Sequence, residues 1–222
     1  MADVILGTMN VTPSEIPHSD LYGVLLNSVA PRPIAWVSTL SASGQPDLAP
    51  FSFFNAMCVD PPLLGFSPGL RPPKQADASH GEPRGEPEDT LRNIRETKEF
   101  VVNIVTYHLL QPMNVTSGEY DPSVNEFELA KVTPVPSRIV LPARVAESPV
   151  SFECRLYQIL DFSPARTSSS LVIGEIVSIY MADAHIKNGK LDRNSLDLIG
   201  RMGGIQYTRT TERIELARPK IG

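Results

Sequence analysis

PRPIAWVSTLSASGQPDLAPFSFFNAMCVDPP, residues 31–62, is the stretch that decides the fold. Two runs of apolar and β-favouring residues, 32–40 and 47–54, flank the turn sequence SASGQP, which predicts two strands joined as a hairpin. Hydroxyl and amide side chains interrupt both runs, and the only Trp of the chain lies in the first. The predicted strands therefore combine hydroxyls, an amide and an indole. This combination raises the question of what the strands bind.

The composition is typical of a globular protein. The 222 residues suffice for one large domain, 41% of them are hydrophobic, and the mean hydropathy is −0.09. The formal charge is −5 and no long basic run occurs, which argues against a nucleic-acid or anionic-membrane surface. No apolar run approaches the ~20 residues that span a bilayer, and no secretory signal is recognisable. The two cysteines are isolated, which favours a reducing compartment, so we expect a cytoplasmic protein.

The distribution of candidate elements predicts a mainly β protein. About seven strands and three or four short helices can be counted, and 21 prolines punctuate the chain. Strands and helices do not alternate as they do in a doubly wound sheet. We therefore expect a single domain over residues 1–222, built as an antiparallel barrel with helical insertions.

Residues 68–88, PGLRPPKQADASHGEPRGEPE, break this pattern. The segment contains five prolines, mixed charges and almost no large apolar residues, so it cannot form part of a core. We predict a surface loop. Loops of this length are uncommon and often functional, although a tolerated insertion explains the segment equally well.

The motifs of several enzyme classes are missing from the sequence. The four histidines are scattered and neither cysteine has a neighbouring Cys or His, so no metal site is predicted. No GxSxG elbow and no Walker loop occurs. The Gly-rich run GRMGG, 200–204, does not match the dinucleotide-binding pattern GxGxxG.

The run RPIAWVSTLSASGQPDLAPFSFFNAMCVDPPLLGFS resembles the flavin reductase-like, FMN-binding split-barrel proteins, a family that includes flavoredoxins. DTLRNIRETKEFVVNIV, PARVAESPVSFECRL and IGRMGGIQYTRT follow in the family's order, so the resemblance covers roughly residues 20–210. PIAWVST and APFSFFN, separated by one turn, are its specific part. The resemblance implies a Greek-key split β-barrel with short helical insertions, a homodimer, and one FMN per subunit near the dimer interface.

FMN has an apolar aromatic ring, a polar pyrimidine edge and a phosphate of charge about −2. The resemblance implies that aromatic side chains contact the ring, strand backbone meets the edge, and hydroxyl and amide groups bind the ribityl and phosphate oxygens. It also implies a helix whose N-terminus faces the phosphate. Each residue taken alone is also typical of an ordinary strand, so the prediction depends on the whole arrangement. The expected FMN-binding residues are Ala35, Trp36, Val37, Ser38, Thr39, Ser52, Phe53, Phe54, Asn55, Arg71, Asp89 and Thr90.

The start of that helix departs from the family pattern. Family members commonly carry Lys-Asp-Thr there, whereas residues 88–90 of this chain are Glu-Asp-Thr. A Glu beside a phosphate repels it, so either this Glu points away or another cation compensates. Arg71, Lys74 and Arg84, all in the 68–88 segment, are the candidates for that cation.

The resemblance favours an oxidoreductase of flavin reductase type. NAD(P)H would pass a hydride to FMN, which would then reduce oxygen, a free flavin, an iron chelate or a partner protein. No catalytic residue can be named. Arg201 and Tyr207 could line the nicotinamide side, or could equally form a salt bridge and an aromatic that closes the barrel.

Two alternatives to the reductase remain. An FMN-binding electron carrier without direct NAD(P)H activity would use the same residues, because no nicotinamide motif is visible. A haem-binding barrel would need an axial ligand, and the decisive stretch offers only Met57 and Cys58.

Overall fold

The structure is a computed structural model that describes residues 10–71, 86–162 and 169–219. Within these ranges the chain forms four α-helices and three short 3₁₀ turns, the latter at Pro13–Glu15, Tyr107–Leu109 and Asp183–His185. The helices are α1 (His18–Ser28), α2 (Asp89–Thr97), α3 (Leu110–Val115) and α4 (Glu126–Ala130). The strands are β1 (Ala35–Leu40), β2 (Pro46–Phe51), β3 (Phe54–Val59), β4 (Pro62–Phe66), β5 (Leu70–Arg71), β6 (Glu86–Pro87), β7 (Glu99–Ile104), β8 (Pro134–Val135), β9 (Arg144–Val145), β10 (Val150–Asp161), β11 (Ser170–Met181), β12 (Ile186–Lys187), β13 (Lys190–Leu191), β14 (Ile199–Arg201) and β15 (Tyr207–Arg209).

Seven of these strands form one antiparallel sheet in the order β2-β1-β7-β10-β11-β4-β3. The predicted hairpin is confirmed, because β1 pairs with β2 from Ala35 opposite Phe51 to Leu40 opposite Pro46. The second predicted strand, 47–54, was wrong at its end: β2 stops at Phe51 and β3 begins at Phe54. The sequence FSFFN contains no Gly, Pro or Asp to mark that turn, so the two strands looked like one.

The core lies on both sides of β1, and this strand is buried along nearly its whole length. Trp36 belongs to one apolar cluster with Leu48 and Phe127. Val37 belongs to a second cluster, which contains Phe66 and Phe100. Successive side chains of a strand point to opposite faces, so β1 contributes alternately to the two clusters.

The Phe100 ring of β7 lies over Gly174 of β11, two strands away in the sheet, because residue 174 has no side chain. A Cβ added to Gly174 would contact the Phe100 ring and would lie 3.2 Å from Cys154 Cβ. All three residues lie in adjacent strands of the main sheet. A larger residue at position 174 would therefore push the ring out of its place.

A buried amide connects the sheet to the chain that follows it. The Asn103 amide nitrogen donates to Trp36 O at 3.1 Å, and its oxygen accepts from Val145 N and Ser151 Oγ, both at 2.9 Å. Asn103 is fully buried, so each of these hydrogen bonds replaces one that water would otherwise make. The amide thereby fixes the position of β9 relative to β1 and β10.

The predicted surface loop begins and ends on a short ladder. Strand β5 pairs with β6, with Leu70 opposite Pro87 and Arg71 opposite Glu86. Residues 72–85 lie outside the described residues, and so does the prediction that a loop there carries the phosphate-binding cation. No helix in the described ranges is long and apolar enough to cross a membrane.

Candidate functional site

Three cavities follow one another along β2, which is an edge strand of the main sheet. The arginine cavity, about 390 Å³, is lined by Arg32, Ser52, Arg201 and Tyr207, among others. It shares Pro50 and Ser117 with a middle cavity of about 210 Å³. The middle cavity shares Asp47 and Asp89 with the carboxyl cavity, about 290 Å³, whose wall also includes Arg92, Asn93, Glu96 and Glu126.

Arg32 is a buried cation that has no carboxylate partner among the described residues. Its side chain is 5% exposed, and Nη1 donates to Leu26 O at 2.8 Å and Val29 O at 2.6 Å. Nη2 donates to Met202 O at 2.9 Å, and Nε is 3.5 Å from Ser52 Oγ. Burial, and then the charge of Arg201, lower the pKa of Arg32. The carbonyls orient this guanidinium, but none of its partners carries a neutralising charge.

Arg201 lies beside Arg32 because their backbones are paired. Arg32 N donates to Arg201 O at 2.9 Å, and Arg201 N donates to Arg32 O at 2.8 Å. The Arg201 guanidinium carbon is 4.6 Å from the centre of the Tyr207 ring, and Nη1 donates to the Tyr207 hydroxyl. No Asp or Glu is among the described residues that line this cavity. Two adjacent guanidinium groups without a counter-charge favour an anionic ligand.

An aromatic surface adjoins the two arginines. The Phe53 ring is 42% exposed, and its centre is 5.8 Å from the Arg32 guanidinium carbon. Tyr22 and Tyr207 are part of the cavity wall, and the half-buried Ser52 supplies a hydroxyl. Cavities that bind small organic ligands commonly have volumes of about 300–1,000 Å³, and the arginine cavity falls in this range. The arrangement suits a ligand that has both an aromatic ring and an anionic group.

The first group of predicted site residues lies in the interior. Ala35, Trp36, Val37, Ser38 and Thr39 are at most 1% exposed and line none of the three cavities. The Trp36 indole donates to Thr116 Oγ1 at 2.9 Å. Strand β1 pairs with β2 on one side and β7 on the other, so its backbone donors and acceptors serve the sheet. These five side chains therefore have no free surface in the single chain, and their predicted contact with FMN, in part through the strand backbone, stays a prediction.

The second predicted group, 52–55, divides between the arginine cavity and the surface. Ser52 lines the cavity and Phe53 is exposed beside it. Phe54 packs against the second apolar cluster. Asn55 is exposed on β3, where its Oδ1 accepts from Ala56 N at 2.9 Å. Of the predicted residues whose side chains the structure describes, it therefore brings only Ser52 and Phe53 close to the paired arginines.

The start of α2 lies among carboxylates. Asp89 and Thr90 line the middle cavity together with Asp47, Glu88 and Glu119. The Thr90 hydroxyl donates to Asp47 Oδ2 at 2.7 Å. A phosphate would meet several like charges here, so the described residues favour the arginine cavity for an anion. Lys74 and Arg84 and the Arg71 side chain lie outside the described residues, so their predicted role stays a prediction.

Sequence reasoning missed Arg32. The signal was available, because this arginine comes directly before the apolar run that forms the most buried strand. A cation at the entrance of a core strand is buried only where something compensates for its charge. A metal site was not predicted, and in the described part of the chain no three Asp, Glu, His or Cys side chains are arranged to hold an ion.

The chain belongs to the flavin reductase like domain family, whose model matches residues 27–195. Nitrilotriacetate monooxygenase component B from Bacillus cereus is similar in structure, with 31% identity and a TM-score of 0.84 over 95% of this chain and 99% of that one. The 2-nitrobenzoate 2-nitroreductase of Pseudomonas fluorescens is 32% identical, with a TM-score of 0.81 over 95% and 96%. An uncharacterized protein of Halalkalibacterium halodurans is 34% identical over 215 residues, which are 96% of this chain and 98% of that protein.

The fold is a mainly β split barrel. A protein with a split-barrel domain from Shewanella frigidimarina has the same architecture, with a TM-score of 0.74 and 22% identity over 97% of this chain and all of that one. The predicted family and fold are thereby confirmed. Membership of the family implies that this protein binds a flavin.

Proposed function

We propose that this protein is an FMN-dependent oxidoreductase of flavin reductase type that uses NAD(P)H. The observation that carries the proposal is the arginine cavity. Arg32 is a buried guanidinium without a carboxylate partner among the described residues, it is paired through its backbone with Arg201, and the exposed ring of Phe53 lies beside it. A flavin mononucleotide presents the matching chemistry, a dianionic phosphate attached to a large aromatic ring.

The residues present fit such a ligand. Arg32 and Arg201 would hold the phosphate, because guanidinium groups donate two parallel hydrogen bonds to phosphate oxygens. The carbonyls of Leu26, Val29 and Met202 would keep the Arg32 guanidinium oriented before and after binding. Ser52 would donate its hydroxyl to the ligand, and Phe53 would offer an apolar contact to the ring.

Bound FMN supplies the redox chemistry, as an acceptor of hydride from a reduced nicotinamide and a donor of electrons to a further acceptor. The chain then needs no nucleophile and no catalytic triad. Its task is to bind the ring and the phosphate in one orientation and to leave room for the nicotinamide. This agrees with a cavity wall made of cations, hydroxyls and aromatic rings.

A homodimer is part of the proposal. Helix α1 contributes Tyr22 and Leu26 to the arginine cavity, yet none of its residues is buried in the single chain. Strand β3 is exposed along most of its length, with Val59 91% exposed. A second copy packed against these surfaces would bury apolar side chains and would close the cavity. We place the protein in the cytoplasm, where reduced nicotinamides are available.

The test is flavin loading followed by anaerobic reduction. The purified protein is incubated with FMN and desalted, and its absorption is recorded before and after addition of NADH or NADPH. We expect retained flavin bands that bleach with a nicotinamide and return with oxygen, free FMN or 2-nitrobenzoate as acceptor. Bands that bleach only with dithionite would instead establish the electron carrier without NAD(P)H activity.

The matched control is a pair of arginine variants. Arg201→Ala removes a cation from the cavity. Arg209→Ala removes a cation from the same hairpin, but Arg209 lies outside the cavity wall and pairs with Asp197. We expect Arg201→Ala to lower FMN affinity about tenfold, the effect of one charge-assisted hydrogen bond, and Arg209→Ala to leave it unchanged. Equal affinities in the two variants would remove the arginine cavity from the proposal.

A further inference from the structure

The carboxyl cavity lies at the far end of β2 from the arginine cavity, and flavin binding does not use it. We propose that it binds a primary ammonium group, through the buried side-chain oxygens of Asn93 and Glu126, two residues of its wall whose Oδ1 and Oε2 atoms have no hydrogen-bond partner among the described residues. The ligand would be a small amine or the amino group of a larger molecule. This inference does not depend on the flavin proposal.

The orientation of the Asn93 amide follows from its neighbours. The Thr39 hydroxyl donates to Asp47 Oδ2 at 2.8 Å, so it can only accept from Asn93. Asn93 therefore directs its nitrogen to Thr39 Oγ1, 2.9 Å away, and its oxygen elsewhere. That oxygen is buried and has no hydrogen-bond partner among the described residues, although Asn93 is only 2% exposed.

A second acceptor lies on the same wall. Glu126, in α4, is 7% exposed, and its Oε2 has no hydrogen-bond partner in the described part of the chain. Buried polar atoms without partners are rare, because each one lost hydrogen bonds to water when the chain folded. Two such atoms, on two residues that line one cavity, call for a ligand that donates hydrogen bonds in more than one direction. An ammonium group has three donors and no acceptor.

The charges on the cavity wall also favour a cation. Asp47, Asp89, Glu96 and Glu126 line the cavity against the single guanidinium of Arg92, which pairs with Asp89. No metal arrangement is present among the described residues, so the cation is one that binds through hydrogen bonds. Burial, and then the charge of Asp47, raise the pKa of Glu126 to about 7. A bound ammonium would therefore displace the proton of Glu126 near neutral pH.

The experiment titrates the full-length protein with methylammonium chloride by calorimetry, in two buffers of different ionisation enthalpy. We expect about half a proton released per site at pH 7, and an affinity about tenfold higher at pH 8 than at pH 6, as a competing proton requires. Tetramethylammonium chloride has the same charge and no donor, so its affinity should be at least about tenfold lower.

Two variants complete the test. Glu126→Gln keeps the shape of the side chain and should abolish both the proton release and the pH dependence, with an affinity loss of about tenfold or more. Glu128→Gln removes the same charge from an exposed position on the same helix, away from the cavity wall, and should change the affinity less than about threefold, as expected of a screened surface charge. The proposal is overturned if tetramethylammonium binds as tightly as methylammonium, or if the pH dependence persists in Glu126→Gln.

Discussion

The arginine cavity and the carboxyl cavity lie at opposite ends of β2 and have opposite charge. One contains two guanidinium groups and no described carboxylate, whereas the other contains four carboxyl groups and one guanidinium. In both, a buried polar group lacks a partner within the described ranges: Arg32 lacks an anion there, and the Asn93 and Glu126 oxygens lack donors. The missing hydrogen-bond or charge partner of a buried group therefore indicates the chemistry of a ligand better than the size of the cavity does.

Reversing one charge of the arginine cavity should have the largest effect. Arg201→Glu places a carboxylate beside Arg32, where it would neutralise the cation and repel a phosphate. We expect FMN affinity to fall about 100-fold or more, against about tenfold for Arg201→Ala. Fluorescence quenching of FMN measures both constants. A glutamate variant no weaker than the alanine variant would mean that position 201 does not face the phosphate.

Removal of the Asp47 carboxylate, which two buried hydroxyls share as an acceptor, should destabilise the fold. Asp47 accepts hydrogen bonds from the buried hydroxyls of Thr39 and Thr90. We expect Asp47→Ala to lower the free energy of unfolding by about 2–3 kcal/mol, because both hydroxyls lose a charged acceptor. Urea denaturation gives the value. Thr90→Val should cost about half as much, and no difference from the wild type in either variant would contradict the hydrogen-bond assignment.

The pH dependence of stability should differ between wild type and Glu126→Gln. Because the pKa of Glu126 is raised from an ordinary value of 4.5 to about 7, the folded protein retains a proton there that the unfolded chain releases. The contribution of this proton to the free energy of unfolding is fully present below pH 4.5. It is lost as the pH rises to about 7 and is absent at higher pH. Glu126→Gln should therefore be more stable than the wild type by about 1–3 kcal/mol at pH 8, and nearly equal at pH 5. A constant difference across this range would show that Glu126 ionises normally.

The smallest effect is expected at the rim of the carboxyl cavity. Arg92 pairs with Asp89, but the guanidinium is 43% exposed. Arg92→Gln should change the free energy of unfolding by less than about 1 kcal/mol, because solvent screens such pairs. It should also raise methylammonium affinity slightly, since it removes the one cation on the wall. A weaker affinity would mean that Arg92, through Asp89, shapes the amine site.

The sequence predicted the fold better than the site. The hairpin of β1 and β2 could be predicted because alternating apolar runs and a Gly-containing turn are local signals. The turn at residues 52–53 was missed, since Phe and Ser are common in strands as well. Trp36 and Ser38 were expected at a ligand, but β1 is an interior strand, and which strand becomes interior depends on pairings with β7 that are remote in sequence.

The same reason explains why Arg32, Asn93 and Glu126 escaped prediction, whereas Arg201 and Tyr207 had been named as candidates. Arg32 is recognisable as a site residue only through its pairing with Arg201. Asn93 is recognisable only through its hydrogen bond to Thr39 and its place on one cavity wall with Glu126. No local spacing connects these residues. Ser52 and Phe53 were predicted because they lie in the stretch that carries the family resemblance; both lie near Arg32, and their contact with a flavin stays a prediction.

The backbone bridge between Arg32 and Arg201 has a consequence for the order of events during synthesis. The Arg32 guanidinium also donates to Met202 O, 170 positions further along the chain. A ribosome exposes the first half of the barrel long before β14 emerges, and until then this guanidinium has neither the carbonyl that orients it nor its neighbouring cation. The arginine cavity is consequently completed only after β14 has been made, so an anion that requires both arginines can bind only once Arg201 and Met202 have left the ribosome.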